Sequence, residues 1–221
     1  LQALALGNFG EWSPILPRSH AAGPGAVIHG YDEVSYTQAQ ATFIRFFEQV
    51  MGASRLSFAA EVGATWIGDM EDDINYGRSP AYGINDFDPF ISETFPGTPV
   101  SCNSHPALAG FGIVPNPNAD YCESEGFIDD FSWGYRIRAG LEYSDVFAGV
   151  NLTPNMAWSH DVDGTSPPPN FIQDRKALSV GVKASYLNIY QADLSYTSFF
   201  GADYNEQQDR DFVSLSFSVA F

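Results

Sequence analysis

Side chains able to do chemistry are sparse in this chain, and their spacing argues against catalysis. The histidines are His20, His29, His105 and His160. Ser159-His160 is the one pairing that suggests a nucleophile beside a base, but adjacent residues of a strand point to opposite faces. His105 has Ser101 and Ser104 nearby, without a third group to orient it. Asp161-Val162-Asp163-Gly164 resembles the start of a calcium loop. Pro167, Pro168 and Pro169 stand where further ligands would be needed, so the expectation is no metal, no cofactor and no enzyme. The remaining charged residues form a pattern. Arg45, Arg55, Glu61, Arg136, Arg138, Glu142, Lys183 and Asp193 all lie in segments where apolar and polar residues alternate.

Such alternation marks strands with one apolar and one polar face. It is clearest at the end of the chain, where Val213, Leu215, Phe217, Val219 and Phe221 interleave with Ser214, Ser216, Ser218 and Ala220. A terminal Phe preceded by alternating apolar residues resembles the signal read by the machinery that assembles bacterial outer-membrane barrels. Further strands are expected over Arg55–Trp66, Trp133–Tyr143, Ala148–Trp158, Leu178–Tyr186 and Tyr190–Tyr196. Another covers Ser35–Phe47, its alternation blurred by the run Phe43 to Phe47, and Gln2–Asn8 is a further candidate. Pro154 lacks a ladder donor and predicts a bulge or an edge.

Short turns are expected near Met51-Gly52, Ser144-Asp145 and Leu187-Asn188. Long polar connections run over about Gly68–Asp130, His160–Asp174 and Gly201–Asp211. Short turns at one end and long loops at the other are the layout of an outer-membrane barrel. Aromatics sort the same way. Trp66, Trp133, Trp158, Phe199, Phe200 and Phe212 fall by long loops, and Phe46, Phe47, Tyr143, Phe147, Tyr186, Tyr190 and Phe221 by short turns or the terminus. Two such belts match the two membrane interfaces. The charged residues between them would then face a lumen, because charge facing lipid near the midplane costs about 2–4 kcal/mol. They serve either as a selectivity lining or as ion pairs that brace the barrel.

The bulk properties agree. The chain has 221 residues with 44% hydrophobic and 15% aromatic content, including 18 Phe and 11 Tyr. Its mean hydropathy of -0.14 is compatible with strands polar on one side. It contains 27 acidic and 10 basic residues, a net charge of -17, which excludes nucleic-acid binding as a class. The acidic residues concentrate in the long connections. They either solvate those loops or bridge divalent ions, including to lipopolysaccharide phosphates. Cys102 and Cys122 lie together in the longest connection and suggest a disulfide and an oxidising compartment, against the alternative of two free thiols. Closing that loop would contribute about 3 kcal/mol by chain entropy.

Several segments, in order, resemble one proteobacterial family, domain of unknown function 1302. They are Gly30-Tyr31, Gly52-Ala53-Ser54, Glu61-Val62-Gly63-Ala64, Ser132-Trp133-Gly134-Tyr135-Arg136, His160-Asp161-Val162-Asp163-Gly164 and Asp174-Arg175-Lys176-Ala177-Leu178. Ala192 to Thr197, Phe199-Phe200-Gly201 and Asp209-Arg210-Asp211-Phe212-Val213 complete the set. The resemblance implies the C-terminal part of a larger outer-membrane protein. It also implies a lipoprotein-like or periplasmic partner, an inner-membrane permease, and movement of lipids, sterols or hydrocarbons; it supplies no catalytic residues. The reading from sequence is one all-β domain over residues 1–221. It is an antiparallel transmembrane β-barrel with seven or eight strands in this chain, set in outer-membrane lipid. The rival reading is a plugged structural barrel whose loops bind a partner.

Overall fold

A computed structural model describes residues 25–27, 31–70, 76–78 and 126–220. The elements are β1 (Ser35–Glu48), β2 (Arg55–Gly68), β3 (Phe131–Phe147), β4 (Val150–Asp163), β5 (Lys176–Tyr186), β6 (Tyr190–Phe200) and β7 (Phe212–Val219). They form one antiparallel seven-stranded sheet in sequence order, and no helix occurs among the described residues. Short turns join β1 to β2, β3 to β4 and β5 to β6, which makes those pairs neighbours, whereas longer connections lead into β3, β5 and β7. The Tyr186–Ile189 turn closes with a 3.1 Å bond from Ile189 N to Tyr186 O. Leu187 and Asn188 there have φ of 53° and 56°. Positive φ at both central residues gives the turn a twist that matches the flanking strands.

The expected strands are present, but the short turn expected near Ser144-Asp145 is at Ala148-Gly149 instead, since β3 continues to Phe147, and there are three further corrections. Strand β4 runs five residues past Trp158, so His160 and Asp161 belong to a strand rather than to the following loop. Pro154 causes no bulge and sits in an interior strand: β4 pairs with β5 straight through Pro154↔Val182. On the β3 side the pairs stop at Gly140↔Asn155 and resume at Tyr143↔Leu152, and the missing N–H falls in that gap. Third, β1 and β7 are the two ends of the strand order among the described residues, so the sheet stands open rather than closed on itself. The candidate strand at Gln2–Asn8 lies outside the described residues, as do Phe221, Cys102, Cys122, His20, His29 and His105.

The register fixes which residues share a face. Ala139, Met156, Val180, Tyr196 and Val213 line up across five strands on one side. Val182, Leu194 and Leu215 form the next row on that side. On the other side Thr153, Lys183, Asp193 and Ser216 form one row, and Asn155, Gly181, Ser195 and Ser214 another. Large apolar side chains on the first side stay exposed, with Leu215 at 75% and Val213 and Phe217 at 68%. The usual logic of a soluble sheet, apolar residues inside, is therefore inverted here.

The described residues divide into two compact units. Among the described residues the first comprises 25–27, 31–37, 66–70, 76–78, 126–130 and 165–170, and its core is Ile67, Tyr76 and Ile128 with Val34 and Met70 packed against them. Ile67 N donates to Asp130 O and Ile128 N to Tyr76 O, so the two ends of the longest connection are tied together at its base. Arg78 Nε donates to Ser166 O at 2.9 Å and Tyr76 Oη to Asp32 Oδ2 at 2.9 Å. The second unit comprises residues 38–65, 131–164 and 171–221 and carries nearly all of the sheet.

Candidate functional site

The polar side of the sheet brings most of the expected charged residues together. Arg55 Nη2 donates to both carboxylate oxygens of Glu142 at 2.9 Å. Lys183 lies directly opposite Asp193. Thr42 Oγ1 donates to Glu61 Oε2 at 3.0 Å. Arg138 is exposed on the same side as these residues, opposite Ala157. Arg55 and Glu142, on neighbouring strands, satisfy one another.

Arg45 departs from the sequence reading. Thr42 shares a face with Glu61, whereas Phe43 packs edge-on against Phe58, with ring centroids 6.3 Å apart. Odd-numbered residues of β1 therefore share the side of Phe58, and Arg45 is among them. Its guanidinium lies 5.3 Å from the Phe47 ring centroid, a cation–π contact in place of an ion pair. The run Phe43-Ile44-Arg45-Phe46-Phe47 is apolar at both parities, so alternation alone could not phase this strand.

The best-built part of the polar side is a cluster that alternation did not reveal. Asp161, 1% exposed, receives Arg136 Nη2 at 2.7 Å, Arg175 Nε at 2.7 Å and Nη2 at 2.6 Å, and the backbone N–H of Ile172 at 3.1 Å. Arg175 O in turn accepts from Asp161 N at 2.9 Å, and Arg175 N donates to Ile172 O at 3.0 Å. One carboxylate thus holds β3, β4 and the segment before β5 in a single arrangement. Charge-assisted bonds of this kind are short and directional. Arg136 was legible as a polar-face residue; its partner was not, because Asp161 reads as part of the loop that His160 opens.

Phe171 follows from that anchoring. A Cβ added to Gly63 would meet the Phe171 ring at 3.4 Å, and one added to Gly134 would meet it at 3.0 Å. The two glycines leave room in the polar face for an aromatic ring, which is 8% exposed. Interior glycines of a strand often mark such close approaches, and this was the available sequence signal. Two positions along from these glycines, Thr65 and Ser132 are buried with hydroxyls that find no partner. Among the described residues no three His, Cys, Asp or Glu side chains converge as metal ligands.

The aromatic residues gather at two ends. Trp158 Nε1 donates to Tyr135 Oη at 3.2 Å, and the Trp158 ring lies 5.9 Å from that of Phe200 and 6.3 Å from that of His160. Trp133, opposite Asp163, is at the same end, and Trp66 is 44% exposed near the end of β2. At the other end Tyr186 stacks on Tyr190 at 6.4 Å and Tyr143 Oη donates to Met51 O. Ala220 N donates to Ile189 O, so the end of β7 lies beside the β5–β6 turn. Ser159 and His160 are adjacent in β4 and face opposite ways. His160 Nε2 is 3.5 Å from Asp174 Oδ1 without hydrogen-bond geometry, so the two groups are close but not bonded. Lys176 donates to Asp174 and holds that carboxyl below its ordinary range, with a smaller contribution from His160.

One family model matches the chain over residues 3–221, that of a protein of unknown function designated DUF1302. No curated protein and no solved structure matches it.

Proposed function

The chain belongs to the DUF1302 family of proteins of unknown function, and on that premise we propose that its sheet is part of an outer-membrane β-barrel. That barrel gives small or hydrophobic compounds, of lipid, sterol or hydrocarbon type, passage across the membrane. The observation that carries the reading is the inverted sheet: a continuous exposed apolar side, backed by a polar side with the ion pairs Arg55–Glu142 and Arg136–Asp161. An exposed apolar surface of that extent needs hydrocarbon against it, and the paired charges need water or each other. In this reading Trp66, Trp133 and Trp158 form one interfacial girdle and Tyr143, Tyr186 and Tyr190 the other. Glu61, Arg136, Arg138, Glu142, Lys183, Asp193 and Arg55 line the lumen. The residues Val213, Leu215, Phe217, Val219 and Phe221 serve the assembly machinery, and Cys102 and Cys122 staple the longest loop.

A second reading, a plugged barrel whose acidic loops bind lipopolysaccharide or a partner protein, is favoured by Phe171 on the polar side. One comparison separates the two. The full chain is reconstituted in vesicles, and solute flux and co-purifying lipid are measured together. Flux, or a bound hydrophobic compound, supports passage. An inserted protein with neither supports the plugged anchor. Protein that stays soluble without detergent sinks both.

A further inference from the structure

We propose that Phe171 is the size-limiting residue of the passage, held across the polar side by Asp161 as a latch; this rests on the barrel reading above. The segment from Phe171 to Arg175 is positioned by five bonds, four to the Asp161 carboxylate or backbone and one internal. Arg175 gives Nε and Nη2 to the carboxylate, Ile172 gives its N–H, and Arg175 O takes the Asp161 N–H. Arg136 of β3 completes the carboxylate's coordination, so the latch is tied to the wall on two strands. Ile172 is 3% exposed, which seats the segment rather than leaving it swinging.

The floor beneath Phe171 is built to receive a ring. Gly63 of β2 and Gly134 of β3 present no side chain where the ring lies, and any Cβ at Gly134 would be 3.0 Å from it. A barrel wall needs side chains at lumen positions to fill a narrow interior; here two are missing and a loop residue supplies the bulk instead. The neighbouring Thr65 and Ser132 hydroxyls are buried without partners. The latch fixes where the ring lies, and the bulk of the ring then sets the width of the passage. The solutes admitted are neutral or apolar, because Arg55 and Glu142 of the wall neutralise one another.

The test uses the full chain in phosphatidylcholine–phosphatidylglycerol vesicles, with flotation to read insertion first. Vesicle swelling in a neutral pentose and in a neutral trisaccharide then reads the opening. Tryptic cleavage after Arg175 reads the latch without reference to flux. Asp161→Asn removes the charge and is expected to raise both cleavage and trisaccharide swelling by about tenfold, the size of losing one charge-assisted bond. Phe171→Ala is expected to raise trisaccharide swelling as much, with pentose swelling rising less, while Ser216→Ala changes neither. Inserted variants that swell like the parent overturn the proposal, whether or not cleavage rises. Failure of the parent to float with lipid removes the barrel reading and the constriction with it, and flotation distinguishes that case from the first.

Discussion

Replacing Asp161 by Ala should be the most damaging single change on the polar side. The carboxylate is 1% exposed and accepts from Arg136, Arg175 and the Ile172 N–H. Its removal takes from Arg175, 19% exposed, the carboxylate that accepts from both its Nε and Nη2, whereas Arg136 at 40% can turn to water. Breaking a buried pair by removing one partner costs about 3–5 kcal/mol. Discounting the Arg136 share for solvent leaves roughly 2–4 kcal/mol for Asp161→Ala. Asp161→Asn should cost about half as much, because an amide oxygen still accepts a bond. The assay is urea unfolding of the lipid-reconstituted chain followed by Trp fluorescence. With slopes of about 1–3 kcal/mol per molar, the midpoint of the Ala variant should fall by at least about 1 M. A shift no larger than that of Ser216→Ala would refute the claim that this carboxylate holds the segment before β5.

Four further outcomes follow from the same geometry. Gly134→Ala should lower stability by about 1–3 kcal/mol in the same unfolding assay, since its Cβ would lie 2.6 Å from His160 O, a backbone atom. Leu215→Arg should impair membrane folding by about 2–4 kcal/mol while Ser216→Arg costs far less, read by folded yield in vesicles; equal costs would show that the two faces are not chemically distinct. Brominated lipid tails should quench Trp158 and Trp133 in single-Trp variants, and unquenched emission from both would remove the membrane reading. The lowered Asp174 carboxyl contributes stability that is present above its unfolded pKa, about 3.9 for a free Asp, and is lost as pH falls through the lower folded value. Lys176→Met should move the titration of Asp174, followed by carboxyl NMR, back up toward the ordinary range. Titration unchanged in that variant would assign the lowering to another group.

How far the sequence could be read depended on whether its information was local. Strands β2, β3, β5, β6 and β7 were legible because a period of two is imposed by the pleat, and each residue reports its own face. The charges Arg55, Glu142, Lys183 and Asp193 were legible as a polar-face set for the same reason. Phase failed at Arg45, where both parities are apolar and only contact with β2 decides the side. Pro154 misled because a missing donor is tolerated wherever the ladder already skips a pair, and the skip depends on the partner strand.

By itself, then, the order of residues determined an all-β chain with two chemically opposed faces, its hairpins and the segregation of aromatics to both strand ends. Those are properties of neighbours along the chain. Only the tertiary structure decided that Asp161 is a buried hub and that Phe171 occupies the space left by Gly63 and Gly134. Residues that meet across 25 or more positions have no periodic trace, since the bond from Arg136 to Asp161 exists only once β3 and β4 are in register.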